Sequence, residues 1–315
     1  MTLGGVIMKS SSAFVLAIAF LLAPLAAHKA SAQTPPAVAK MNAYVGCINR
    51  LSERAYDSRK RYFSWVGRNG PTGRERIIYG TYTIYNPADC KKNVEKANAM
   101  EPHDTALEAA ATAYVEAVTT LEPLLKEADE YYTQENYKDD RMAKGRALHP
   151  RLVAAWNGFA IADQTLRREV EAVNDRRAVA ELAEIEKSEG KKTRYYVQAL
   201  MIDAKRVIRT QQAAKPDLAA LTQALAEYEA AVKGAEQASG NGGPKLGSFF
   251  MGNAKSFLVT GKQLMRRIRD HVPYSSGDRM MLANHLSGWM VEGSPPRLLR
   301  DYNQLVEAYN RGPGI

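Results

Sequence analysis

Apolar residues recur at three- and four-residue steps in every long segment of this chain, and no segment alternates apolar with polar over the length of a strand. The first stripe is Met41, Tyr44, Val45, Ile48, Leu51, Ala55, Tyr62 and Val66, with Arg50, Glu53, Arg54 and Lys60 on the opposite side. A second runs Leu107, Ala111, Tyr114, Val118, Leu121, Leu125 and Ala128, and Pro123 inside it predicts a kink or a split. A third begins after Pro150, which suits a helix's first turn, and carries Leu152, Trp156, Phe159, Leu166, Val170 and Val173 on through Ile185 to Gly190. Later stripes are Tyr195 to Ile208, Leu218 to Val232 after a break at Lys215-Pro216, Phe250 to Ile268, and Leu298 to Tyr309.

Ile77 to Tyr85 alone has a strand-like composition. Gly80 interrupts it and no second run exists to pair with it, so an ordered aromatic loop is expected there. The expected class is all-α: an antiparallel bundle of several long helices with an aromatic loop and a short C-terminal helical extension. Residues 33–39 read as a flexible lead, 40–238 as the main bundle, and the glycine-rich 239–247 as a linker. Residues 248–315, too few for an independent core, are expected to pack back onto the bundle.

The first 32 residues stand apart. Lys9 precedes the apolar run Ala13 to Leu22, Pro24 follows, and Ala30-Ser31-Ala32 has the small-x-small pattern of a signal-peptidase site. A cleaved leader with Gln33 as the new first residue is expected, because the run is about half the roughly 20 residues of a spanning helix. The mature chain is then periplasmic or secreted. Its net charge of +9 falls to +7 once Lys9 and Lys29 leave with the leader, which holds no acids. In an exported protein that charge points to anionic envelope surfaces or to solubility, not to nucleic acid. Cys47 and Cys90 are the only cysteines, and an isolated pair in an oxidising compartment usually bonds; two buried free thiols are the alternative. Such a bond would stabilise by about 4 kcal/mol in the chain-entropy view.

Chemistry-capable groups concentrate between the second and third stripes: Tyr131, Tyr132, Tyr137, Asp139, Asp140, Lys144 and His149. As a binding corner, the tyrosines would stack a ligand while the carboxylates took cations or hydroxyls. As a helix–helix joint, the favoured reading, the tyrosines are buried, Asp139 or Asp140 caps the next helix, and His149 caps at Pro150. Adjacent helical aspartates diverge by about 100°, and no Glu-x-x-His or His-Glu-x-x-His spacing occurs, so neither a metal nor a cofactor is expected. Ser188-Glu189-Gly190-Lys191 matches Ser-x-x-Lys without the partners that give that motif meaning, and Gly242-Gly243-Pro244-Lys245 lacks the spacing of a phosphate loop. The basic clusters Arg59-Lys60-Arg61 and Arg266-Arg267-Ile268-Arg269 stand beside acids. A solvated helix face is favoured there over a membrane-surface or polyanion contact.

Several stretches resemble the YiiG-like bacterial envelope proteins, a family of unknown function. They are Glu130-Tyr131-Tyr132, Tyr137-Lys138-Asp139-Asp140, Ala143-Lys144-Gly145 with Leu148-His149, the turn Gly70 to Glu75, Met41 to Val45 with Asn49, and Tyr302 to Val306 with Tyr309-Asn310. The resemblance implies a helical, exported protein of similar length and brings no activity, substrate or catalytic residue. Such families are often lipoproteins; this sequence departs from that by lacking an acceptor cysteine at the cleavage site. The expected function is non-catalytic binding of an envelope component or protein partner. The alternative is a carboxylate-dependent, hydrolase-like enzyme with its site near Asp139 and Asp140.

Overall fold

The computed structural model of the chain describes residues 36–212, 217–284 and 286–314. The leader, the cleavage point before Gln33 and the break at Lys215-Pro216 lie outside the described residues. Among those described, regular structure is helical, with isolated bridges but no strand. In order these helices are α1 (Pro36–Phe63), α2 (Ala88–Asn98), α3 (Thr105–Thr133), α4 (Ala143–Glu189), α5 (Thr193–Gln212), α6 (Leu218–Gly240), α7 (Ser248–Arg269), α8 (Ser276–Ala283) and α9 (Pro295–Asn310). None is long and apolar enough to cross a membrane. Their starts follow local chemistry: Asp104, Asp217 and Ser294 each accept a backbone N–H of the first turn of α3, α6 and α9.

Two boundaries differ from expectation. α1 begins at Pro36, inside the stretch read as a flexible lead, because proline's missing N–H and fixed φ cost nothing at a helix's first position. α3 passes Pro123 without a split, because burial of Leu121 and Leu125 on the same stripe outweighs one lost backbone bond.

The chain divides into two compact units, one ending at Asn174 and the other beginning at Asp175, so the division falls within α4 and inside the range 40–238. The glycine-rich stretch 239–247 lies within the second unit, its first two residues ending α6 and the rest turning the chain toward α7. There α5, α6, α7 and α9 share one core, built from Leu200, Leu225, Tyr228, Phe257, Leu298 and Leu305 among others. Tyr228 donates its hydroxyl proton to the Ala254 carbonyl at 2.9 Å, which lets a polar tip sit in that core.

The first unit packs α1, α2, α3 and the front of α4. Cys47 and Cys90 are bonded, with Cα atoms 5.3 Å apart, and tie α1 to α2. A second tie is ionic. Lys40, buried on the apolar side of α1, donates to the carbonyls of Met100 and Pro102 at 2.9 and 3.0 Å and to the Glu108 carboxylate. Lys40 first, then His103, holds the Glu108 carboxyl down at about 2 against an ordinary 4.5. A folded-state value below the unfolded one means stability is fully present above about pH 4.5 and lost as pH falls toward about 2. Urea midpoints followed from about pH 5 to about pH 2 should fall, and Glu108→Gln should flatten that fall; an unchanged slope in the variant would remove Glu108 as the cause.

Candidate functional site

The corner between α3 and α4 is built by three residues that turn the chain through left-handed backbone: Glu135 at φ 58°, Arg141 at φ 51° and Met142 at φ 68°. Non-glycine residues hold such angles only where their surroundings impose them. Here Met142 is buried and its N–H donates to the Tyr137 carbonyl at 3.1 Å. Asp140 does the rest. Its carboxylate accepts the N–H groups of Ala143 and Lys144 at 3.2 and 2.8 Å, capping α4, and the Tyr131 hydroxyl at 2.7 Å. Desolvation pushes the Asp140 carboxyl up, but the bonds from Lys144 N–H, Tyr131 and Ala143 N–H outweigh it and leave it below its ordinary value.

Asp139 is exposed and takes no part in this cap. Asp140→Ala should therefore cost about 0.5–2 kcal/mol in urea unfolding, and Asp139→Ala less than about 0.5 kcal/mol. Equal losses in the two variants would show that the cap is not what the corner depends on. Lys144 points outward, its ammonium 3.2 Å from Glu127.

Tyr131 and Tyr132 are buried as expected, whereas Tyr137 is only half-buried beside the single 3-10 turn of residues 136–138. His149 differs from expectation. It caps nothing, because α4 starts at Ala143 and carries both His149 and Pro150 in its interior. The helix passes Pro150 because Met142, Leu148 and Leu152 are buried along it, and that packing outweighs proline's propensity. The buried imidazole meets the Tyr62 hydroxyl at Nδ1, 3.0 Å, and the Arg68 carbonyl at Nε2, 3.2 Å. A carbonyl only accepts, so the arrangement is satisfied by the neutral ring with its proton on Nε2 and Tyr62 donating to Nδ1.

Rings fill the space around this pair: Tyr62 to Trp156 at 5.3 Å, Trp65 to Tyr132 at 5.0 Å and Tyr131 to Tyr132 at 5.0 Å. The aromatic loop closes over them. Trp65 donates its indole N–H to the Gly80 carbonyl at 2.9 Å. Gly80, at φ 67°, lies where a Cβ would stand 3.2 Å from Tyr132, and Gly70, at φ 94°, would meet the His149 ring at 3.1 Å. Left-handed backbone and close approach together require glycine at both positions.

The same loop then runs along α1. Arg50, Arg54 and Arg61 of α1 lie over Tyr85, Tyr82 and Tyr79, with guanidinium carbons 5.6, 3.8 and 5.8 Å from the ring centres; Arg61 also lies 4.4 Å from Tyr82. Arg54 and Arg61 donate Nε–H to the carbonyls of Thr83 and Tyr79, and Ser58 accepts the Tyr82 N–H while donating to its carbonyl. Arg59 lies 5.9 Å from Phe63. Arg59 and Arg61 thus stand beside rings, half-buried, while Lys60 between them is exposed.

A buried polar group escaped sequence reasoning. Asp163 on α4 is 2% exposed and accepts Ser52 at 2.6 Å, Tyr56 at 2.9 Å and Arg167 at 2.9 Å, while Tyr114 bonds Ser52 at 2.9 Å. Burial, then Asp163, holds the Tyr56 hydroxyl well above its usual range. The signal was present in the third stripe: Asp163 stands four residues after Phe159 and three before Leu166, in register with the buried side chains. Lys40 is likewise four residues before Tyr44 in the first stripe. A charge in register with a core stripe announces a buried partner.

The family described as "Protein of unknown function (DUF3829)" matches residues 36–311. The chain belongs to that family. It is 38% identical over 301 residues to the Uncharacterized protein YiiG of Escherichia coli (strain K12), covering 91% of this chain and 85% of that protein. No solved structure matches the chain. The DUF3829 match takes in every group described above, from Lys40 through the corner to Asp163. In this DUF3829 protein the carboxylates of the hydrolase-like alternative do not converge: Asp140 is committed to its cap, and Asp139 faces solvent. No cluster of three or more His, Cys, Asp or Glu able to hold a metal occurs among the described residues.

Proposed function

We propose that the protein is an exported, non-catalytic binding protein of the cell envelope, and that it meets its partner through the arginine–tyrosine surface of α1 and the loop after it. One observation carries this reading. In the corner at residues 131–149, Asp140, Tyr131 and His149 are engaged by groups of the protein itself, whereas the guanidinium groups of Arg54 and Arg61 are set on tyrosine rings with no carboxylate partner among the described residues. Side chains fixed in place before contact lose little freedom on binding, which is what a recognition surface needs. Export is supported by the leader and by the Cys47–Cys90 bond, which suits an oxidising compartment.

Photo-crosslinking in intact cells tests both parts. A crosslinking residue at Ile77 should give adducts with an envelope component, one at the exposed Glu130 of α3 should give none, and the recovered chain should begin at Gln33. Adducts of equal yield from both positions, or from neither, would overturn the assignment of the surface.

A further inference from the structure

The composition of this surface points to a class of partner, an inference that rests on the binding reading above. Residues 50–87 hold eight of the chain's cations against three acids, so most of the mature net charge is gathered in this one stretch. Arg50 has Asp89 at 3.4 Å, but Arg54, Arg61, Arg68, Arg74 and Arg76 have no carboxylate partner among the described residues. Glu75, the acid nearest to Arg74 and Arg76 in sequence, is turned inward on its own turn: it accepts Thr72 N–H, the Thr72 hydroxyl at 2.8 Å and Gly73 N–H at 2.8 Å.

Between and beyond these cations the loop leaves apolar and aromatic side chains in water: Ile77 is 52% exposed, Tyr79 47% and Tyr85 64%. A soluble polyanion would answer the charges but has no use for Ile77. Stacking of free bases or sugars would need open tyrosine faces, and guanidinium groups already lie on Tyr79, Tyr82 and Tyr85. A bilayer surface uses both features, with phosphates meeting the arginines while Ile77 and the tyrosine edges enter the headgroup boundary.

We infer that residues 68–85 and the adjoining face of α1 dock on a membrane surface rich in acidic phospholipid. The contact is peripheral, and the hydrogen bonds from Trp65 to Gly80 and between Ser58 and Tyr82 hold the loop in its docking shape beforehand.

Co-sedimentation of the mature chain with phosphatidylglycerol and with phosphatidylcholine vesicles is the test. Binding is expected to phosphatidylglycerol only and to weaken with added salt. Each surface cation is worth about fivefold in affinity, so Arg74→Gln with Arg76→Gln should lower binding roughly 25-fold. Neither side chain is tied into the fold by an ion pair, so circular dichroism and melting should be unchanged. Ile77→Ser should weaken binding several-fold without altering the salt dependence. Soluble polyphosphate serves as the competing ligand. Equal affinity for polyphosphate together with no effect of Ile77→Ser would overturn the bilayer in favour of a free polyanion. Absence of binding to phosphatidylglycerol vesicles would overturn it outright. Ile77 crosslinks to an envelope protein would in that case leave the binding reading standing.

Discussion

Replacing Asp163 with Ala is expected to destabilise the first unit by about 3–5 kcal/mol, read as a fall in its urea midpoint at unchanged slope. The carboxylate is the acceptor on which Ser52, Tyr56 and Arg167 converge, and it is almost wholly buried. Its removal strands the Tyr56 hydroxyl and leaves Arg167 without its counter-charge in a partly dry site, each a cost of about 1–3 kcal/mol. Two features hold the loss toward the lower end. Ser52 and Tyr114 still bond each other, and the Arg167 side chain keeps 23% of its surface in water. Tyr56 supplies a second readout: with Asp163 gone its hydroxyl should titrate at lower pH, because burial and this carboxylate together hold it up. A variant with wild-type stability and an unmoved Tyr56 titration would mean the network carries no weight in the fold.

Tyr132→Ala should cost a similar amount, about 3–5 kcal/mol, through the cavity left where the ring met Trp65, Tyr131 and Gly80. Tyr132→Phe separates the ring from its hydroxyl. The Tyr132 oxygen is buried without a well-formed hydrogen bond, while the nearby Tyr62 hydroxyl is engaged by His149. Deleting that oxygen should change stability by less than about 1 kcal/mol in either direction. Thermal or urea unfolding of the pair decides it. Equal, small effects in both variants would show that the corner tolerates a void and is not the packed joint described here.

Lys40, Asp163 and Pro150 mark the limit of what local pattern reveals. The period of three and four residues was enough for the helical class, because an amphipathic helix must put its apolar side chains on one face whatever it packs against. The lone strand-like run at residues 77–85 was legible as a loop because a strand without a partner leaves its backbone groups unpaired, and the single cysteine pair was legible from compartment chemistry. The cap at Asp140 could be narrowed to two adjacent aspartates but not to one, since which carboxylate reaches the first N–H groups depends on the left-handed turn at Arg141 and Met142.

Starting points of helices shifted for the same reason. Pro36 suits the first position of a helix, whereas Pro150 carries a local preference of a few kcal/mol at most, and burial of neighbouring side chains decides against it. Residues far apart in the chain then find each other only in the folded state: Ser52 with Asp163, Tyr62 with His149, Gly80 with Tyr132, and Arg54 and Arg61 with Tyr82. The sequence by itself determined that these segments are helices and where the ordered loop lies, but not that the charges of Lys40 and Asp163 would be buried in their stripes. Tertiary structure alone decided which groups those charges meet and which cations stay uncompensated at the surface, because contacts between elements depend on how whole faces pack and not on the spacing within any one of them.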